Sequence, residues 1–374
     1  MRTDSLGNVK WQNNYGSDSI ESALALRATP DGGFVFGGSV TSPDFSTTKM
    51  EVAKIDSVGN LKWAANFGGS NENNIRGLTV LPSGDVIAVG DANLPTTSTQ
   101  FGYHLRLKAN GTPDDGRFFA KGNFRNFFGG VDITPDGGIA MGGSSWSYIS
   151  ANSSFYDPWL VKLKANGDTA FAKRYTMVST QFCYGVKALK DGDILMFGQV
   201  AISDTFQGTF IMKVDSVGKF KWFKAFDFKP TATSNLFERI YDVAPARDNS
   251  GYIAAVGYYK DGAMDSIKIK GASGQDSIII GERSKAFIFK TDRDGTIQWA
   301  RGYTDSLSVG YLGSRATILY GVTSTPDGGF TAVGETFNYS AKEGGALIHH
   351  RIIFNCCPKQ RAINHVAVYC PLFL

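Results

Sequence analysis

Residues 54–67 read KIDSVGNLKWAANF, and this stretch decides the fold because the chain repeats it. Related strings are RTDSLGNVKWQNNY at 2–15, MKVDSVGKFKWFKAF at 212–226 and FKTDRDGTIQWARGY at 289–303. Two weaker copies bring the turn glycines to six, between 51 and 77 residues apart: Gly7, Gly59, Gly111, Gly167, Gly218 and Gly295. A repeat of this length indicates one supersecondary unit used many times.

A second anchor alternates with the first and reads TPDGGFVFGG at 29–38. Its turn glycines are Gly32, Gly84, Gly137, Gly192, Gly251 and Gly328, and each is followed six residues later by another glycine. Pro-Asp-Gly and Asp-Ser-Val-Gly both favour tight turns, because proline presets φ and glycine accepts a positive φ. The apolar runs on either side are therefore predicted to be the strands of hairpins.

Each period thus contains two hairpins, or four strands, in about 52 residues. Seven residues before each second-anchor glycine stands a small residue: Ala25, Gly77, Gly130, Gly185, Ala244 and Gly321. This is expected of an innermost strand, where backbones crowd around an axis. The pattern predicts an all-β six-bladed β-propeller over residues 1–346. Because the chain begins inside a second hairpin, we expect the amino-terminal strands to complete the last blade.

Composition narrows the class of protein. The 44 glycines, 42% hydrophobic and 13% aromatic residues describe a turn-rich protein with ample material for a core. The net charge of +4 is spread over 38 bases and 34 acids without a basic run, so we expect no nucleic-acid partner. No apolar stretch is long enough to cross a bilayer, and the amino terminus lacks the apolar core of a signal peptide.

The two anchors resemble a known repeat. The apolar-Gly-Gly run followed by K-x-D-x-x-G-x-x-x-W is similar to the β-propeller repeat of large bacterial secreted and surface proteins, and more distantly to kelch. The resemblance covers about residues 2–346. It implies propeller architecture and an extracellular or cell-surface location, but no common chemistry. The Asp-to-Trp segment also resembles quinoprotein blades and the Asp-box of sialidases, although its spacings match neither throughout.

Candidate binding residues lie in the variable segments between hairpins, such as Ser144–Asp157 and Tyr258–Ser284. In a propeller these segments share one face, and aromatic rings beside hydroxyl and amide groups suit sugars or peptides. The candidates are seven aromatic residues: Trp146, Tyr148, Phe155, Tyr156, Phe206, Tyr258 and Tyr259. We expect a glycan or a protein or peptide partner on this face.

Other repeated features favour structural interpretations. A base lies five residues before each first-anchor glycine, at Arg2, Lys54, Arg106, Lys162, Lys213 and Lys290, and we expect solvated head groups there. The aromatic residues four positions after these glycines, such as Trp63, are expected in the core. Asp292 to Gly295 resembles a calcium loop but lacks its ligands. Cys183 has no nearby base and is expected to be inert. We predict no catalytic residue, metal or cofactor.

Residues 347–374 break the repeat and are expected to form an atypical tail, out of frame or disordered. Three of the four cysteines lie there, Cys356, Cys357 and Cys370, and the pattern fits no zinc motif. Another reading frame from about Ile348 is expected to resume the D-x-x-G-x-x-x-W string. A Cys/His metal or redox element is the alternative.

The sequence therefore predicts a monomeric, non-catalytic binding or surface-display propeller. The alternative is a propeller enzyme, either a glycan hydrolase or a quinone-dependent dehydrogenase. A cluster of acids and arginines at the centre of the variable face would favour the enzyme.

Overall fold

The computed structural model describes residues 1–4, 8–68, 73–93, 99–120, 125–150, 153–177, 179–201, 207–226, 239–270, 276–303, 315–339, 347–356 and 365–368, with the backbone alone in several strand segments. All regular elements in these residues are β-strands, which confirms the all-β prediction. In the same residues no helix has the length and hydropathy needed to span a membrane.

Most strands form four-stranded sheets in which sequence neighbours pair. The first sheet consists of β3 (Ile20–Ala28), β4 (Phe34–Thr41), β5 (Thr48–Ile55) and β6 (Leu61–Phe67). The second consists of β7 (Asn73–Val80), β8 (Val86–Asn93), β9 (Gln100–Leu107) and β10 (Pro113–Phe119). The third consists of β11 (Asn126–Ile133), β12 (Ile139–Ser150), β13 (Ser153–Leu163) and β14 (Thr169–Arg174). The fourth consists of β15 (Thr180–Ala188), β16 (Ile194–Ala201), β17 (Gln207–Val214) and β18 (Phe220–Phe226).

The remaining strands depart from this scheme. One array holds β19 (Ile240–Pro245), β20 (Tyr252–Lys270), β21 (Asp276–Thr291) and β22 (Ile297–Tyr303). The next holds β23 (Arg315–Ser324), β24 (Phe330–Tyr339), β25 (Leu347–Cys356) and β26 (His365–Val368). A single parallel bridge between Arg283 and Arg315 joins these two arrays into one eight-stranded sheet. The predicted count of six separate blades is therefore not confirmed.

The prediction that the amino-terminal strands complete the last array is wrong. β1 (Arg2–Thr3) and β2 (Val9–Trp11) form a two-stranded sheet of their own. The outer edge of β24 is already paired with β25 from Phe330 with Cys356 to Tyr339 with Leu347. An edge whose backbone groups are bonded to one strand cannot accept another. Whether 347–374 is out of frame stays a prediction.

The chain divides into two compact units, Met1–Met196 with Met212–Lys221, and Phe197–Ile211 with Trp222–Leu374. In the first unit, Val52, Ile75 and Leu78 belong to a core cluster shared by the first two sheets. In the second, Ala255, Ile288 and Leu319 belong to another cluster. Alternating apolar side chains of neighbouring sheets therefore supply the cores.

The predicted hairpin turns are confirmed. Gly32 and Gly59 have φ of 80° and 90°, which an L-residue adopts only with strain. The Asp56 carboxylate accepts hydrogen bonds from the backbone N–H of Val58 at 3.0 Å and of Asn60 at 2.8 Å. The aspartate of the D-x-x-G string thus fixes its own turn, as Asx turns do.

The prediction of solvated bases is wrong for Lys54, Lys162 and Lys213, which are buried and each face a carboxylate of their own sheet. Lys54 and Lys162 are 8% and 5% exposed, and their Nζ atoms lie 2.6 Å from carboxylate oxygens of Asp31 and Asp136. Hydrogen bonds from Lys162 and Thr134 lower the pKa of Asp136 to about 2. The two tight turns lie at the same end of a sheet, so the third-strand base reaches the first turn.

The outer-strand aromatic residues are half-buried and contact the next repeat. The Trp63 indole Nε1 donates to the Ala109 carbonyl at 3.1 Å, and a Cβ added at Gly111 would lie 2.7 Å from the ring. Trp11 donates in the same way to Ser57, and Phe171 covers Gly218. The repeated turn glycine therefore leaves the space into which the outer-strand aromatic ring of the preceding sheet packs. The predicted core role is correct only in part.

Two segments predicted as loops are hairpins. β12 and β13 continue past the blade, with Trp146 opposite Tyr156 and Tyr148 opposite Ser154. β20 and β21 likewise pair up to Lys270 and Asp276. Neither of the two segments predicted as loops contains a proline, which would remove a backbone donor from the pairing.

Candidate functional site

The absence of a side chain at glycine allows the innermost strands of the first unit to lie close together. A Cβ added at Gly77 would lie 2.9 Å from the Gly130 Cα, and one at Gly130 would lie 3.0 Å from the Gly185 Cα. Real Cβ atoms are essentially never closer than 3.0 Å to such a neighbour. The backbones of β7, β11 and β15 therefore pack directly against one another, as the row of small residues predicted.

A β-bulge interrupts the innermost strand just before this small residue. The register shifts between Ile75 and Gly77 in β7 and between Phe128 and Gly130 in β11. The same shift occurs before Ala25 and before Gly321. A bulge leaves one residue unpaired and redirects its side chain, which is why bulges are frequent beside functional sites. In β7 the redirected residue is Arg76.

Aromatic side chains gather beside these bulges on the third and fourth sheets. We call this group the inner-strand aromatic cluster, and its members are Phe127, Trp146, Tyr156, Phe182 and Tyr184. The Tyr156 centroid lies 4.6 Å from that of Phe182 and 5.4 Å from that of Trp146. Phe182 and Tyr184 are nearly parallel at 15° and 6.2 Å apart. Phe127 closes the cluster, 6.5 Å from Tyr184 and 6.3 Å from Tyr156.

The cluster is partly exposed to solvent. Phe127 is 9% exposed, whereas the other four members are half-buried. Burial raises the pKa of Tyr156, and the charge and hydrogen bond of Arg125 oppose that rise. The phenol therefore stays neutral at physiological pH. Half-buried rings with one polar tip can stack on a ligand and hydrogen-bond to it at once.

Arg76 borders the cluster. Its guanidinium carbon lies 5.4 Å from the centroid of the Phe127 ring, and its Nε donates to the Asp91 carboxylate. Asp91 is completely buried and also accepts hydrogen bonds from Gln100 Nε2 at 2.6 Å and from Asn74 Nδ2 at 3.4 Å. A carboxylate held by several donors keeps the arginine in one orientation.

The structure brings together two of the seven predicted site residues, Trp146 and Tyr156. Phe155 is half-buried and lies opposite Ser147 in the hairpin. Tyr148, Tyr258 and Tyr259 lie in strands whose backbone alone is described, so their side chains fall outside the described part of the chain. Phe206 also lies outside the described residues. The predictions for these four residues stay untested.

Sequence reasoning missed four residues of this region: Arg76, Phe127, Phe182 and Tyr184. A signal was present, because each stands one or three residues before a glycine of the close-packed row. Arg76 is the bulge residue of β7, and Phe127 lies two residues before the bulge residue of β11. The repeat alignment could have separated them from the other residues of the innermost strand.

A concavity separate from the aromatic cluster lies against the first sheet, with a cavity volume of about 330 Å³. Tyr15, Glu21 and Glu51 contribute to its lining. Hydrogen bonding to Ser17 lowers the pKa of Glu21. Burial, with a smaller contribution from the Glu21 charge, raises the pKa of Glu51. In acid–base catalysis, one carboxyl group with a raised pKa commonly lies near another with a lowered pKa.

Two structural predictions agree with the geometry. The Asp292 carboxylate accepts hydrogen bonds from the N–H groups of Asp294 and Thr296 at 2.9 and 2.8 Å, as in a turn. Cys183 is a buried thiol outside any disulfide, and its Sγ donates to the Gly185 carbonyl oxygen at 3.3 Å. Within the described ranges no group of three or more metal-ligating side chains occurs.

No protein-family model matches the chain, and no curated protein matches it. Among solved structures, the β-propeller domain of the Trilobed protease from Pyrococcus furiosus is 8% identical, with a TM-score of 0.48 over 95% of this chain and 85% of that chain. An α-L-arabinanase from Penicillium chrysogenum is 13% identical, with a TM-score of 0.42 over 75% and 88%. Sqt1 from Chaetomium thermophilum is 13% identical, with a TM-score of 0.44 over 89% and 80%. Similarity at this level carries no information about activity.

Proposed function

We propose that this chain is a non-catalytic binding module that holds a glycan on the inner-strand aromatic cluster. The observation that carries the proposal is the grouping of Phe127, Trp146, Tyr156, Phe182 and Tyr184 beside Arg76. Aromatic faces bind the apolar faces of sugar rings, and polar groups at the border fix orientation. A peptide is the other ligand that the sequence left open, and the test below distinguishes it.

The scaffold in this proposal is a six-bladed β-propeller. Six copies of both anchors support it, and so do the four-stranded sheets and the direct contact of the glycines at 77, 130 and 185. The contacts from each outer strand to the next turn also repeat along the chain, as blade-to-blade contacts would. An extracellular or cell-surface location is part of the same proposal and rests on the family resemblance alone.

The test is a binding titration against a panel of glycans and peptides. Tyr156→Ala and Phe182→Ala are expected to weaken glycan binding by about tenfold or more, because each removes a central stacking ring. Phe118→Ala is the matched control, since Phe118 is 48% exposed on β10 and belongs to no part of the cluster. Thermal melts of all three variants check the fold.

Loss of glycan binding in Phe118→Ala to the same extent would contradict the proposal. So would binding of peptides only, or of neither class, by the folded wild type. In those cases the cluster would serve packing between sheets.

A hydrolase acting on glycans is the second candidate, favoured by Glu21 and Glu51 in one cavity. Under this alternative Glu51, with its raised pKa, is the general acid and Glu21 the ionised partner. Glu51→Gln would then abolish glycan hydrolysis while Tyr156→Ala would not. Absence of hydrolysis by the wild type across the panel would contradict it.

A further inference from the structure

We infer that the ligand of the inner-strand aromatic cluster carries a carboxylate, as a uronic-acid sugar does, and that Arg76 binds it. The inference rests on the proposed function and names the substrate class of the same site. It is drawn from the position, orientation and free donors of Arg76.

The bulge in β7 is the first step of the argument. Arg76 is the residue skipped between Ile75 and Gly77, so its side chain leaves the paired face of the sheet. It lies over Phe127, which belongs to the aromatic cluster. A ligand stacked on the cluster would therefore meet the guanidinium at its edge.

The Arg76 guanidinium is held in place by one hydrogen bond, and its other donors can bind a ligand. Nε bonds to the buried Asp91, and Gln100 and Asn74 hold that carboxylate from other directions. Within the described part of the chain, Nη1 and Nη2 donate to no protein group, and the side chain is 37% exposed. These two parallel donors match the two oxygens of a carboxylate.

The charge around the site is complementary to an anion. Asp91 balances one arginine, and the exposed Arg125 adds a second positive charge beside Tyr156. Asp91 is completely buried and accepts hydrogen bonds from three side chains, so it presents no exposed negative charge to a ligand. An arginine fixed in advance also loses little side-chain entropy when a carboxylate binds.

The experiment compares an oligosaccharide of galacturonic acid with its fully methyl-esterified form by calorimetric titration. The two probes share the same ring and hydroxyl pattern and differ in charge. The wild type is expected to bind the acid about tenfold or more tightly than the ester, as a hydrogen bond to a charged group would give. Added salt should weaken binding of the acid and leave the ester unchanged.

Arg76→Gln should abolish the preference for the acid, so that acid and ester bind with about equal affinity. Arg76→Lys should give an intermediate preference, because it keeps the charge and loses the fork. Arg27→Gln is the control, since Arg27 is an exposed arginine of the first sheet. If Arg76→Gln proves unfolded in a thermal melt, Arg76→Lys decides alone: an unchanged acid preference overturns the inference.

The outcomes separate the inference from the proposed function. Equal wild-type affinity for acid and ester, with loss of both in Tyr156→Ala, overturns the carboxylate inference and leaves the glycan-binding proposal standing. If a neutral glycan of the panel binds the folded wild type and no acidic one does, the carboxylate inference alone is overturned; if no glycan binds, both are overturned. An acid preference that survives Arg76→Gln overturns the role of Arg76.

Discussion

At the residue scale, burial of charged groups is explained by the partner that the repeat brings to them. Where the turn reads Pro-Asp-Gly-Gly, the aspartate before the glycine meets the third-strand base, as Asp31 does with Lys54. Where the turn reads Ser-Gly-Asp or Asp-Gly-Asp, the aspartate after the glycine pairs with the third-strand base instead. Asp85 pairs with Arg106 in this way, and Asp193 pairs with Lys213. A buried cation needs such a carboxylate, because an unpaired one is very costly.

His104 is buried with its Nδ1 atom 3.9 Å from an Asp115 carboxylate oxygen, which is beyond hydrogen-bonding distance, and it gives a prediction about pH. Burial lowers the pKa of His104 to about 4; the charge of Asp115 raises it, and those of Arg117 and Arg106 lower it further. In the unfolded chain the imidazole titrates near 6.5, so below that pH the unfolded state binds more protons. The free energy of unfolding should therefore fall by roughly 3 kcal/mol as pH drops from 7 to 4.

The measurement is denaturant unfolding of the wild type and His104→Gln at pH 7, 5 and 4. The variant should start lower at pH 7 and lose less stability on acidification. Parallel pH profiles for the two proteins would show that His104 does not cause the loss.

At the element scale, each outer strand is fixed to the turn of the following repeat. Trp11 and Tyr15 donate to the carbonyls of Ser57 and Gly59, and Tyr175 donates to Gly218 at 2.9 Å. Where the tryptophan is missing, Arg117 donates to Gly167 at 2.7 Å instead. In the weak copy at Gly111, a different residue type therefore makes the hydrogen bond from the outer strand to the turn of the next repeat.

Trp63 provides the test of this contact. Trp63→Ala should lower the free energy of unfolding by roughly 2–3 kcal/mol, below the ~3–5 kcal/mol of a fully buried tryptophan. Gly111→Ala should also destabilise, since its φ is 86° and its new Cβ would lie 2.7 Å from the indole.

Leu61→Ala is the control on the same strand, because Leu61 is 53% exposed. Urea unfolding should show little change for it. If Trp63→Ala and Leu61→Ala destabilise equally, the contact with the next turn is not what stabilises β6.

At the scale of the molecule, repeated sheets give each compact unit a core of its own. The amino-terminal sheet of β1 and β2 takes part in this by covering the turn of the first sheet. Arg2 lies over Phe34, and Tyr15 packs 5.7 Å from Phe36. The segment therefore contributes to stability although it belongs to no larger sheet.

Deletion of residues 1–15 tests this contribution. Loss of the indole and phenol contacts to the first sheet should lower the free energy of unfolding by roughly 3 kcal/mol and expose apolar surface. Thermal melts and light scattering are the measurements, with Trp11→Ala as a milder variant expected to lie between. A deletion with an unchanged melting temperature and no aggregation would contradict the prediction.

The sequence by itself determined the β class, the hairpins and the four-stranded unit, because glycine and aspartate at turns act within a few residues. It also placed Trp146 and Tyr156 among the candidate ligand-binding residues. Only the tertiary structure decided that Lys54 is buried, that Trp63 covers Gly111, and that Arg76 lies over Phe127. These contacts join residues 23 to 51 positions apart in the chain. They depend on which sheet ends and bulges meet in space, and spacing along one repeat does not contain that information.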